Sequence, residues 1–191
     1  MTERRRYEEA IAFVATAVIL SALVHIVVVL AAPHVATGSA FARLTPIGKR
    51  DETVLLPRAS PSERMFPFAD PVVAAAVCRY DLASGPLRVK APAGRLTSSI
   101  SFHARNGLVY YALTDRAAVN GVVEAVLGTP ASLRALAAHD EEESPSRDLR
   151  IAAPAREGYV MIRVFSDFPS LYPAAEAQAK RLACSPEPVP P

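Results

Sequence analysis

Hydrophobic and polar positions divide the chain into five stretches. Residues 10–32 contain no Asp, Glu, Lys or Arg, and AIAFVATAVILSALVHIVVVLAA runs for 23 residues. Roughly 20 apolar residues suffice to cross a bilayer core of about 30 Å. In lipid only a helix satisfies the backbone of a single span internally, so the many β-branched residues do not argue against one. The pattern predicts a transmembrane helix at 10–32, after a short tail at 1–9. Residues 33–69 hold Pro33, Pro46, Pro57, Pro61 and Pro67. Proline fixes φ and removes a donor, which predicts a stalk lying against a domain, with TVLLP as a short strand. Residues 70–184 carry mixed patterns and predict the domain. Residues 185–191, SPEPVPP, predict a tail that forms neither helix nor central strand.

Within the domain, Asp70-Pro71 matches an N-cap followed by a first-turn proline, and PVVAAAVCRYDL then predicts a short apolar helix. GPLRVKAP alternates, with Leu87 and Val89 on one face and Arg88 and Lys90 on the other, as a half-buried strand does. SSISFHARNGLVYYALTD predicts a hairpin over 97–115. Asn106-Gly107 is the preferred pair for a two-residue type I′ turn. That turn sets Phe102 opposite Tyr111 and His103 opposite Tyr110. One face then collects Ile100, Phe102, Ala104, Val109, Tyr111 and Leu113, and the other Ser99, Ser101, His103, Tyr110 and Thr114. A one-residue slip would mix the two sets.

Asn120-Gly121 predicts a second turn before the strand VVEAVLG. TPASLRALAAHDEEE begins as a helix capped by Thr129, with Pro130 in its first turn, and Asp140–Glu143 reads as a solvated acidic loop. Calcium would want spaced ligands and a turn glycine there. GYVMIRVFSDF is apolar on nearly both faces, which places it centrally in a sheet. LYPAAEAQAKRLAC predicts a closing helix with a favourable Glu176/Lys180 spacing. The predicted fold class is α+β: a transmembrane helix, then one antiparallel sheet of four to six strands with two or three packed helices.

Charge sets the orientation. Arg4, Arg5 and Arg6 precede the apolar segment, and the next Lys or Arg is Arg43. Positive-inside asymmetry puts the N-terminus in the cytoplasm and the domain in the periplasm of a bacterium, at the inner membrane. A cleaved signal peptide is the rival reading, but its apolar core is usually about 7 to 15 residues. His25 lies at membrane depth, where an ionisable group marks function or a partner. Ala12/Thr16 and Ala17/Ser21 have the small-residue spacing that permits close helix approach. The net charge of +2 and the absence of a basic stripe exclude nucleic acid as a favoured partner.

Cys78 and Cys184 are the only cysteines. They are a candidate disulfide in an oxidising compartment, the alternative being two buried thiols. Neither has a CxxC or His neighbour, so no metal site is expected. Ser101 and His103 share a strand face without an evident orienting acid, and no GxSxG elbow is present. Arg79, Tyr80, Asp81, His103, Tyr110, Asp115 and Arg116 are the candidate ligand-binding residues, set against structural roles at strand and helix ends. No phosphate loop, HExxH or paired-carboxylate motif occurs. No cofactor is implied, and an enzyme is disfavoured.

DPVVAAAVCRYDLASGPLRVKAP, SFHARNGLVYYALTDRA and EGYVMIRVF with its Cys-ending helix together resemble small single-pass membrane proteins of alphaproteobacteria, the twelve-fifty-four class of domains of unknown function. The resemblance covers residues 65–184 and the N-terminal anchor. It implies a membrane-anchored envelope protein and carries no catalytic residues. It suggests as partner a second small anchored protein of the related twelve-fourteen class, with a homo-oligomer as the other reading. The expected function is a non-enzymatic partner-binding or accessory subunit of an envelope complex. The alternative is a small-molecule or envelope-polymer binding domain, with hydrolysis conceivable, on the polar face of the hairpin.

Overall fold

The computed structural model describes residues 2–35, 39–62, 66, 69–143 and 148–188. Two compact units make up the chain, residues 1–38 and residues 39–191. The first is α1 (Thr2–Val35), whose segment Glu3–Ala32 is long and apolar enough to cross a membrane. Thr16 donates its hydroxyl back to the Ala12 carbonyl at 2.8 Å, so that small-residue pair is satisfied within the helix. Ala17, Ser21 and His25 line one shallow strip of α1.

The second unit is α+β and strand-rich. Its elements are α2 (Ala40–Leu44), β1 (Thr53–Leu55), β2 (Val73–Asp81), β3 (Leu87–Pro92), β4 (Ser98–Ala104), β5 (Val109–Thr114), β6 (Val122–Gly128), α3 (Pro130–Glu143), β7 (Leu149–Ala152), β8 (Glu157–Phe165), α4 (Tyr172–Ala179) and β9 (Ala183–Pro186). The strands form two sheets rather than the single sheet expected. One runs β1-β2-β8-β4-β5, antiparallel throughout, and the other β7-β6-β3-β9. The β6–β7 pair is parallel, and α3 supplies the crossover that a parallel pair needs. The sheets share one apolar core: Ala76, Cys78 and Tyr80 from β2, Val160 and Ile162 from β8, Val89 from β3 and Ala125 from β6. α4 adds Tyr172, Ala175 and Ala179 to that core.

The expected helix from Pro71 is instead a turn followed by the strand β2, Val73–Asp81. Asp70 and Pro71 begin a turn: Asp70 accepts the Val72 amide on its side chain at 3.0 Å, and its carbonyl accepts the Val73 amide at 3.2 Å. The same Asp-Pro signal that caps helices also opens turns. Alanine favours a helix by weak propensity, but nine antiparallel pairs with β8 override it. The closing helix also ends earlier than expected, at Ala179, and Cys184 sits on the edge strand β9. The backbone of 140–143 continues α3 instead of forming a loop. Thr129 caps that helix, accepting the Ser132 amide at 3.1 Å.

The two Asn-Gly pairs make different turns. At Asn120-Gly121 both residues have positive φ, 53° and 78°, and Val119 and Val122 exchange two backbone hydrogen bonds. That is the two-residue type I′ turn. At Asn106-Gly107 only Gly107 has positive φ, 86°; its amide bonds the Ala104 carbonyl at 2.8 Å, and the Ala104 amide bonds the Leu108 carbonyl at 2.9 Å. This loop is one residue longer than the expected turn. A bulge between Phe102 and His103 then absorbs the extra residue, so Ser99↔Thr114 through Phe102↔Tyr111 pair as predicted while His103 pairs with Val109. Tyr110 is the inserted residue and does not face His103.

β9 is held at three levels: four pairs to β3, the Cys78–Cys184 disulfide with Cα atoms 6.6 Å apart, and an ion cluster after the strand. In that cluster Arg88 binds Glu187, Glu124 and Asp148, the last at 2.9 Å, and Lys90 reaches Glu124 at 3.1 Å. The Glu187 hydrogen bond leads the effects that raise the Arg88 pKa, and Arg88 in turn lowers that of Glu124. The disulfide closes a loop of 106 residues, for which chain entropy gives stabilisation of roughly 2–5 kcal/mol. Cys184→Ala in the full chain is therefore expected to lower stability by about that amount in urea unfolding. Tyrosine emission can follow the transition, since the chain has six Tyr and no Trp. An unchanged midpoint would contradict the cross-linking role.

Candidate functional site

The candidate residues lie on strands β2, β4 and β5, and central β8 decides how they meet. Two adjacent rows run across the larger sheet. Arg79, Tyr159, His103 and Val109 form the row on its outer face. Tyr80, Gly158 and Ala104 form the next, on the core face. Gly158 is needed there because a Cβ would overlap the His103 carbonyl oxygen and the Tyr80 ring. Through that gap the Tyr80 hydroxyl donates to the His103 carbonyl at 3.1 Å and meets the Tyr110 hydroxyl at 2.9 Å. The bulge is what turns Tyr110 inward, its ring centroid 6.4 Å from that of Phe102. Burial raises the pKa of both Tyr80 and Tyr110, so the pair stays neutral and polar contacts remain uncharged.

On the outer face, Ser101 Oγ lies 2.8 Å from His103 Nε2, and His103 Nδ1 lies 3.3 Å from the Gly107 carbonyl. The carbonyl can only accept, which assigns the proton to Nδ1 and makes Nε2 the acceptor of the Ser101 hydroxyl. The imidazole stacks on Tyr159 with centroids 4.4 Å apart and planes at 11°. This is the polar face of the hairpin, and it is covered: Ser101 and His103 are 6% and 5% exposed. Around Tyr159 it is covered by Leu44, Leu56 and Phe41, from α2 and the chain near β1. Conversely Tyr111, expected in the core, sits at the sheet edge at 38% exposure.

The Ser101–His103 contact has the distance of a nucleophile and its base, but not the setting. The group orienting the imidazole is a neutral carbonyl, which stabilises an imidazolium far less than a carboxylate would. Both side chains are buried, so the hydroxyl is not presented at the surface. The pair satisfies two buried polar groups against each other.

The remaining candidates part company. Asp81 accepts the Ala83 amide at 3.0 Å and pairs with Arg50 at 2.8 Å. With Arg105, Arg156 and Glu157 it lines a shallow open groove of about 500 Å³. Arg105 and Glu157 pair at 2.7 Å, so the groove's charges are largely matched. Arg79 donates to the Gly48 carbonyl, and its guanidinium lies 5.9 Å from the Phe41 ring. Asp115 and Arg116 lie in a 3-10 turn (Asp115–Ala117) beyond the other end of β5, about 20 Å along the strand from Val109. The seven residues therefore do not converge on one pocket. Sequence reasoning missed Gly158, Tyr159 and the Arg88 cluster. A glycine inside an otherwise bulky strand was the available signal for the first, since it marks a close approach.

This arrangement defines a class: an α+β, two-sheet domain following one long apolar helix. Among solved structures, the VPA0106 protein from Vibrio parahaemolyticus aligns over 76% of this chain at 10% identity, with a TM-score of 0.52, and 33% of that protein is covered. An uncharacterised protein from Burkholderia cenocepacia aligns over 79% at 14% identity, with a TM-score of 0.46 and 41% of its length covered. The chain thus spans less than half of either. The first likeness shows a shared fold. No family model and no curated protein matches the chain.

Burial first, and Arg163 as well, push the His103 pKa below its ordinary value despite the Gly107 hydrogen bond. A depressed histidine stays neutral in the fold while the unfolded chain takes up its proton. Its contribution is thus complete above the ordinary value near 6.5 and is lost as pH falls toward the folded pKa. The melting temperature is expected to fall between pH 7.5 and 5, and His103→Gln, less stable at pH 7.5, is expected to show a flatter profile. Parallel profiles would contradict this. Gly158→Ala is expected to cost several kcal/mol, since the overlap involves backbone and a buried ring. Thermal unfolding by circular dichroism checks both.

Proposed function

We propose that the chain is a membrane-anchored envelope protein whose strand-rich domain is a non-enzymatic, partner-binding or accessory subunit. On this reading α1 is an uncleaved inner-membrane anchor, the N-terminus is cytoplasmic and the domain is periplasmic. The carrying observation is the disulfide joining the two sheets of a domain that follows a long apolar helix. Such bonds persist in oxidising compartments and are rare in the cytosol. Arg4, Arg5 and Arg6, in the first turns of α1 and ahead of its apolar stretch, support the same orientation. The buried Ser101–His103 pair and the dispersed candidate residues favour binding over catalysis. The resemblance to small anchored envelope proteins points the same way.

Two measurements test this reading. A C-terminal alkaline phosphatase fusion, which is active only outside the cytoplasm, is expected to be active, and the matching fluorescent-protein fusion dark. The opposite pattern overturns the topology. Purification from native membranes in mild detergent is expected to recover a stoichiometric partner, either another small anchored protein or a further copy. A lone monomer across several detergents overturns the binding role.

A further inference from the structure

The two sheets have four edges, and three are protected. β1 is three residues long and runs into Pro57. β7 is four residues long, carries Arg150 and is followed by Pro154. β9 ends in Pro186 and is pinned by Cys184. β5 differs. It has six residues, among the described residues it pairs with β4 alone, and neither a charge nor a proline occurs from Leu108 to Thr114. Leu108, Val109 and Tyr111 are 60%, 50% and 38% exposed. A long, uncharged, apolar edge is a template for another strand, and soluble domains normally blunt it with lysine, proline or a cover.

We propose that β5 pairs antiparallel with β5 of a second copy of this chain, joining the two larger sheets into one. This rests on the reading of α1 as an anchor and names the partner that reading leaves open. Three considerations select a second copy. An uncharged strand meets no like charge when it meets itself. A two-fold pairing is closed: it consumes both β5 edges and leaves only the short β1 edges outside, so no open polymer follows. The third consideration is size. A six-residue strand pair is a seam only about 20 Å long. Such a contact needs a tether, and two copies anchored in one bilayer supply it, as linked modules do through effective concentration.

The test is site-specific crosslinking of the full-length protein in native membranes. Both native cysteines are in the disulfide, so Ala112→Cys adds one free thiol on β5. Mild oxidation is expected to give a homodimer band with Ala112→Cys. Lys180→Cys on the exposed end of α4 is expected to give at least tenfold less. Val109→Lys combined with Ala112→Cys is expected to abolish the band while leaving the melting temperature within about 2 °C. Equal crosslinking at Lys180 means random collision and overturns the proposal. A crosslink to a protein of another mass also overturns it, while leaving the partner-binding reading intact. A monomer band alone overturns the second-copy pairing, and co-purification then decides the partner-binding reading separately.

Discussion

The bond between Cys78 and Cys184 ties β2, inside one sheet, to β9, at the edge of the other, with the Cα atoms 6.6 Å apart. Facing sheets usually pack about 10 Å apart, so the sheets must converge on this side. Small residues allow that approach. Ala74, Ala76, Ala91, Ala125, Ala175 and Ala179 are all buried, and the chain has no tryptophan to hold the sheets open. β9 is four residues long and ends in a proline; alone it would fray. The disulfide and the Arg88–Glu187 pair fix it, and β9 in turn covers the edge of β3.

The larger sheet depends on a second constraint, the gap at Gly158. Tyr80 crosses it to the His103 carbonyl and Tyr110, while the His103 ring lies on the opposite face with Ser101 and Tyr159. One residue therefore contributes its backbone to a polar knot on one face and its ring to another on the other face. Every partner is neutral, so the arrangement avoids the desolvation cost of a buried charge. It fixes the hairpin end rigidly and leaves β5 beyond it with most of its length exposed.

Alternation made much of the architecture legible in the sequence. GPLRVKAP buries Leu87 and Val89 and turns Arg88 and Lys90 outward, and β8 lies centrally as its two apolar faces required. β2 was not legible, because apolar residues occupy both of its faces from Val73 to Cys78, although only one face is fully buried, and its alanines read as helix. The hairpin was misplaced by one residue at Tyr110, since a longer loop and a compensating bulge cancel within four residues and leave no trace in the outer register. The burial of His103 was not legible, because polar residues usually mark solvent. A serine and a histidine that satisfy each other remove that cost, and only the fold brings Phe41 and Leu44 against Tyr159, on which His103 stacks. The scattering of Asp115 and Arg116 from Tyr80 and His103 follows from strand length, which a list of chemical side chains does not encode.

On the proposed reading, the Cys78–Cys184 disulfide forms outside the cytoplasm and locks together the two sheets that follow a membrane anchor. Peptide mapping of the intact protein tests it most directly: membranes are isolated under alkylation without reductant, digested, and read by mass spectrometry. The expected result is a single linked peptide joining Cys78 to Cys184, in a chain that still carries residues 10–32. Two alkylated free thiols, or a mature chain beginning after the apolar segment, would contradict it.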